Sequence, residues 1–216
     1  MRITRYGITL QRMRAQDAEL VRQWRNDSKI SRFMFYKGEI TPAMQQEWFT
    51  SIDNEQNFFF LIEYHNEVVG LINISSIDWE ERTAYTGLFI YNDTYLGSDV
   101  PVSASLAMLD VFFLLFNLQV VYAKVKGDNP VAHKYNTCLG FARTKKIELG
   151  LGYEYMLQKE VYLLETKMLR NASIHLKGNK TRIELDLSQP IDRWVQQRLA
   201  LVRADALLSM EVETVS

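Results

Sequence analysis

Cysteine is nearly absent: Cys138 stands alone in 216 residues. One thiol excludes an intramolecular disulfide framework and a cysteine-built metal cluster. The three histidines, His65, His133 and His175, lie far apart, and no spacing of them with carboxylates matches a ligand pattern. No metal is therefore expected. An excess of one charge is also lacking, with 25 Lys+Arg against 26 Asp+Glu and a net charge of −1. Such a balance gives no basic surface over the whole chain, and no nucleic-acid partner is expected. Long hydrophobic runs are missing. The longest, Leu106 to Leu118, is broken by Asp110 and Asn117 and is too short to cross a bilayer. The first residues, Met1-Arg-Ile-Thr-Arg-Tyr-Gly, carry no apolar signal segment. The expectation is a cytoplasmic protein without a membrane partner.

What is present is ordinary globular material, 47% apolar and 24% charged, which excludes a disordered or low-complexity chain. Aromatics reach 12%, enough to fill a core and line a pocket.

Periodicity divides the chain. Ile8 to Met13 alternates as a strand, and Ala15 to Asn26 has Ala18, Val21 and Trp24 at helical spacing. Thr41 and Pro42 open a second helix as cap and first turn. Its apolar face is Met44, Trp48 and Phe49. Asn57 to Tyr64, Val68 to Ser75 and Thr83 to Tyr91 read as an antiparallel meander. Val102 to Leu118 is a helix apolar on nearly all sides, hence buried against a sheet. A strand Val120 to Val125, a helix Pro130 to Cys138, and strands Ala142 to Leu149 and Tyr153 to Leu164 follow. Interleaved helices and a meander predict an α/β fold with a mixed, mostly antiparallel central sheet flanked by helices. Residues 166–216 fall outside that pattern. They read as a C-terminal extension: a hairpin from Ile174 to Leu187 around Gly178-Asn179, then a long helix from Pro190 to Met210.

Two segments carry the chemistry. In Gly127-Asp-Asn-Pro-Val-Ala-His-Lys-Tyr-Asn-Thr-Cys-Leu-Gly-Phe141, a strand ends, Asn129 caps a short helix, and Gly140-Phe141 closes it. Asn129, Ala132, Gly140 and Phe141 resemble, at the same spacing, the Asn-x-x-Ala and Gly-Phe pattern of the GNAT N-acetyltransferase family. The family also carries a Gln/Arg-x-x-Gly-x-Gly/Ala loop before its long helix, whose N–H groups cradle the pyrophosphate of coenzyme A. Here that loop is Thr94-Tyr-Leu-Gly-Ser-Asp-Val-Pro101; Gly97 is in place, and Asp99 replaces the second glycine. A carboxylate there repels a phosphate, so a non-catalytic binding module that keeps the fold stands as an alternative to an enzyme.

The resemblance covers about Ile8 to Glu165 and makes residues 1–165 an acetyltransferase-like domain. It implies acetyl-CoA as co-substrate, held by the strand Phe89-Ile90-Tyr91, the loop residues Gly97, Ser98, Asp99 and Val100, and Asn129, Ala132 and Asn136. Trp24-Arg25-Asn26 and Ile40-Thr-x-x-x-Gln45-x-x-Trp48 resemble the sugar-nucleotide branch, of which the pseudaminic acid pathway enzyme is one example. Similar blocks occur in ribosomal-protein and antibiotic N-acetyltransferases. This branch implies acceptor contacts from Trp24, Arg25, Asn26, Gln45 and Trp48, and a small-molecule amine as acceptor. Trp24 and Trp48 also sit at core spacing.

Acetyl transfer to an amine needs a proton acceptor and a polarised carbonyl. Asp78 is the expected base, with Tyr85 as the alternative. The family's Tyr position falls on Asn136, with Tyr135 one residue earlier, about 100° around the helix and pointing away. The leaving thiolate then draws its proton from water or from Tyr85 or Tyr91. Arg25, Lys29, Arg32 and Lys37 favour a nucleotide-linked amino sugar as acceptor. Cys138, with no activating His–Asp pair, points to direct transfer without a covalent enzyme intermediate. The apolar stripe Ile191, Trp194, Val195, Leu199, Val202 and Ala206 predicts that the last helix packs on the core and contributes to a homodimer.

Overall fold

The computed structural model describes residues 1–147, 151–177, 183–187, 193–200 and 212–215. The chain opens on a hairpin: β1 (Arg2–Arg5), which sequence patterning passes over, and β2 (Ile8–Arg12), the expected strand. Tyr6 (φ 54°) and Gly7 (φ 73°) form its left-handed two-residue turn. Then come α1 (Ala18–Asn26), α2 (Ser28–Ser31) and α3 (Pro42–Ile52). Thr41 caps α3, accepting from Met44 N. The meander forms as expected, as β3 (Phe58–Tyr64), β4 (Glu67–Asp78) and β5 (Thr83–Ile90). α4 (Val100–Asp110) passes into a π-helical stretch, Val111–Leu115. β6 (Val120–Lys126), α5 (Pro130–Cys138), β7 (Ala142–Lys146) and β8 (Gly152–Gln158) follow.

Two expectations are corrected. The strand Tyr153 to Leu164 stops at Gln158, and α6 (Lys159–Glu165) takes over. The switch turns Tyr162 inward, where it is fully buried. The first arm of the predicted hairpin is helical, within α7 (Lys167–Lys177). Ile174 packs on the core, and Leu176 is 79% exposed. The turn at Gly178-Asn179 lies outside the described residues. The second arm is β9 (Ile183–Asp186). Of the predicted long helix, α8 (Arg193–Ala200) is described, and residues 201–211 are not. A last strand, β10 (Val212–Val215), was not anticipated.

The described strands make one sheet, ordered β10-β9-β1-β2-β3-β4-β5-β6-β8-β7. Only β5–β6 and β9–β10 are parallel. β9 pairs with β1, so the extension lengthens the sheet at the N-terminal edge. Its Leu185, Leu187, Val195 and Leu199 are buried in the same cluster as α4 and the sheet. Val195 and Leu199, of the stripe expected to pack on the core, do so. The two faces have separate layers. α4 and its π-helical continuation cover one, and α1 and α3 cover the other through Val21, Trp24, Phe49, Leu61 and Leu71. Among the described residues, no helix is long and apolar enough to cross a membrane, and no group of side chains is arranged to hold a metal.

Candidate active site

The site begins at a defect in the sheet. β5 and β6 pair in register from Thr83–Val120 to Thr86–Ala123 and no further. Beyond that point β5 stays with β4, to Gly70–Ile90, and β6 stays with β8, to Lys126–Gly152. The two parallel strands therefore diverge after Thr86 and Ala123. The edge of β5 along Gly87–Ile90 is left without a strand on its β6 side. The strands are splayed here, and the peptide groups of that edge can meet a ligand's amide arm.

The expected loop lies at the end of β5. Gly97 has φ 81°, and a Cβ there would meet nothing within 4 Å, so the space over the loop is open. Ser98 Oγ donates to Tyr95 O and accepts from Val100 N. Val100 is buried, and Ser103 Oγ, 1% exposed, has no partner among the described residues. Asp99 stands at the N-cap of α4, yet its carboxylate makes no cap bond. Instead, Asp99 Oδ2 lies 2.8 Å from Lys177 Nζ, at the end of α7. An open loop turned by glycine, at the N-terminus of a buried helix, fits a pyrophosphate.

On the other side of the splay, Asn129 Oδ1 accepts from Ala132 N at 3.0 Å, giving the expected cap of α5. Tyr135 and Asn136 are not brought to the splay as proton donors. Tyr135 Oη donates to Pro101 O at 2.8 Å and accepts from Ser105 Oγ at 2.7 Å, and burial pushes its phenol pKa up. Asn136 Nδ2 donates to Ala132 O within its own helix. Asp78 is likewise placed elsewhere. It is exposed, accepts from Glu80 N and Glu81 N to form the β4–β5 turn, and faces the start of β5 rather than the splay.

Of the five residues expected at the acceptor, Arg25, Asn26, Gln45 and Trp48 join α1 to α3 and the residue pair that precedes it, while Trp24 packs on the end of the sheet. Trp24 stacks on Tyr91 (5.1 Å) and is 5% exposed. Arg25 lies over the Trp48 ring at 4.8 Å and donates to Gln45 Oε1; burial lowers its pKa. Gln45 Nε2 donates to Ala18 O, and Asn26 brackets Ile40 through both its amide atoms. Lys29 lies over Tyr91 and pairs with Asp93, and Lys37 caps α2 by donating to Ser31 O and Arg32 O. Phe89 and Tyr91 pack on the α1–α3 side and Ile90 on the α4 side.

Of the candidates, Tyr85 stands beside the splay on an open face. It neighbours Tyr122 in register, with the rings 5.4 Å apart. Its hydroxyl donates to Glu154 Oε2 at 3.1 Å. Burial, then the Glu154 carboxylate, raise the Tyr85 pKa, so it is a phenol at neutral pH. Glu154 is 6% exposed and lies opposite Lys124, the first residue of β6 beyond the pairing. Lys145 Nζ is 3.4 Å from Glu154 Oε1, and Lys124 Nζ sits 4.8 Å from the centre of the Tyr85 ring. Sequence reading passed over Glu154, Lys124, Lys145 and Lys177. A charged residue inside Tyr153-Glu-Tyr-Met-Leu157 was the available signal for the first, and Lys177 gave none.

A family model of the GNAT acetyltransferase domain matches residues 8–142, well over half of the chain. The chain belongs to the GNAT acetyltransferase family. It is an acetyl-CoA-dependent N-acetyltransferase. The spermidine N(1)-acetyltransferase of Vibrio cholerae is 24% identical over 170 residues, covering 76% of this chain and 97% of that protein. An N-acetyltransferase named p20 from Bacillus licheniformis is 25% identical over 146 residues, 63% of this chain and 79% of that one. Among solved structures, the Vibrio cholerae spermidine N-acetyltransferase in complex with CoA and spermine superposes with a TM-score of 0.63 at 20% identity. It covers 73% of this chain and 98% of that one. A domain from Methanocaldococcus jannaschii gives a TM-score of 0.60 at 22% identity, covering 70% and 97%. These likenesses share the GNAT fold.

Proposed function

We propose that this GNAT enzyme acetylates the amine of an anionic small molecule, a nucleotide-linked amino sugar in particular. The observation that carries this reading is the charge pattern beside the splay. Glu154 is framed there by Lys124 and Lys145. At the end of β6, Lys126 bonds both Arg32 O and Asp128. A nucleotide diphosphate finds cations on this surface, and its amine finds one buried carboxylate. A polyamine would bring several positive charges to the same place.

Acetyl-CoA supplies the acetyl group as an activated thioester. The chain's own part is to accept a proton, because the amine arrives as ammonium. The oxygen of Tyr85 takes a proton from the ammonium while its own proton passes to Glu154 Oε2. The open edge of β5 after Thr86 offers N–H groups to the carbonyl as it becomes anionic. Asn129, through the α5 cap, and the loop from Gly97 to Val100 hold the coenzyme.

The relatives favour a second reading, a polyamine acceptor. The two are separated by comparing kcat/KM for a nucleotide-linked amino sugar, the free amino sugar and spermidine, all with acetyl-CoA. The nucleotide-linked substrate is expected to exceed both by more than about tenfold, the size of a lost charge-assisted contact. A preference for spermidine overturns the anionic reading and leaves the acetyltransferase in place.

A further inference from the structure

Asp99 is an anomaly in a loop that receives a pyrophosphate, and the structure holds its counterpart. Lys177 Nζ reaches Asp99 Oδ2 at 2.8 Å, from the last residue of α7. Lys177 lies 35 residues beyond the last position that the family model matches (177 against 142). Its stem lies over Gly7, where a Cβ would come within 3.1 Å of Lys177 Cδ. Its head donates to Tyr64 Oη at 3.4 Å and sits 5.2 Å from the centre of that ring. Tyr64 in turn meets Tyr95, of the loop itself, edge to face at 5.4 Å. Tyr95 and Asn92 are both fastened to Glu67. The lysine is therefore held at the loop by three contacts, and its side chain is 22% exposed against 55% for Asp99.

We propose that Lys177 is a coenzyme-positioning residue: it neutralises Asp99 and gives the pyrophosphate of acetyl-CoA a cation supplied by the C-terminal extension. The proposal rests on the coenzyme reading of the 95–100 loop. A loop with one glycine replaced by a carboxylate repels phosphate unless a cation is held beside it. An ammonium offers three donors, so Lys177 keeps its bond to Asp99 and turns another N–H to a phosphate oxygen. Anchoring that cation gives the extension a part in coenzyme binding and makes it more than an added sheet edge.

The test is calorimetric binding of acetyl-CoA to the full chain and its variants, with melting temperatures measured alongside. Lys177→Ala is expected to raise Kd about tenfold, and Lys177→Arg to stay within about threefold, as a charge-assisted contact demands. Asp99→Asn in the Lys177→Ala background is expected to recover most of the loss, which a purely structural lysine would not allow. If Lys177→Ala does not fold, Asp99→Asn alone decides: it is expected to tighten binding, by releasing Lys177 to the phosphate. An unchanged Kd in Lys177→Ala, no recovery in the double variant, or weaker binding by Asp99→Asn overturns the proposal. A wild-type chain that binds no acetyl-CoA defeats the coenzyme reading itself, and the proposal with it.

Discussion

Tyr162 donates to Asp110 Oδ1 at 2.7 Å, and both residues are fully buried. The other carboxylate oxygen of Asp110 accepts from Tyr6 at 2.6 Å and from Arg5 Nε at 2.9 Å. Arg170 of α7 lies 3.9 Å away. One carboxylate at the end of α4 thus ties the first hairpin, α6 and the extension to the helix that begins at the coenzyme loop. Removing it takes an acceptor away from a buried arginine and from two phenols. Asp110→Ala is expected to lose about 3–5 kcal/mol of stability, and Tyr162→Phe about 1–2 kcal/mol. Urea unfolding measures both; a loss below about 1 kcal/mol in Asp110→Ala contradicts the network's role.

The same burial sets the alkaline limit. The phenol pKa values of Tyr6, Tyr135 and Tyr162 are all raised, first by burial, and those of Tyr6 and Tyr162 next by Asp110. Above the usual tyrosine value of about 10, the unfolded chain releases these protons while the folded chain keeps them. The folded state then binds more protons, and stability falls as pH rises. The slope is about 1.4 kcal/mol per pH unit for each phenol. Melting temperatures from pH 8 to 11 are expected to be level at first and to drop steeply above about 10, together with phenolate absorbance. Phenolate appearing well before unfolding would contradict this.

Asn129 has a structural task and an expected coenzyme task. Loss of its cap on Ala132 N in Asn129→Ala costs about 1 kcal/mol. The KM for acetyl-CoA is expected to rise as well. A folded variant with unchanged coenzyme kinetics leaves only the cap.

Tyr85→Phe and Glu154→Gln test the proton path. Each is expected to lower kcat by about 10²-fold, the low end for general-base assistance, with little change in KM for acetyl-CoA. Turnover within about threefold of wild type in both variants would place the proton acceptor elsewhere.

Local patterning carried much of the fold. The meander, the caps by Thr41 and Asn129, and the buried helix after Pro101 each follow from spacing that a few neighbouring residues determine. The Asn-x-x-Ala and Gly-Phe spacing likewise foretold the capped helix α5 that follows β6. The errors fall where long-range contacts decide. The segment after Gln158 turns helical because Tyr162 must reach Asp110, 52 residues away in sequence. α7 holds Ile174 and Lys177 against residues from the first hairpin and β3. The residues read as the acceptor side also have packing tasks that spacing does not reveal: Arg25 bonds Gln45, and Trp24 is stacked on Tyr91. Glu154 joined Tyr85 only through β6, which lies between their strands.

The most direct measurement is a mass spectrum of the acceptor after incubation with acetyl-CoA, a nucleotide-linked amino sugar and the full chain. The account predicts one acetyl group on the sugar nitrogen for each coenzyme thiol released, with no acetyl retained on the protein. Thiol release without acetyl on that amine, or an acetyl group held on Cys138, would contradict it.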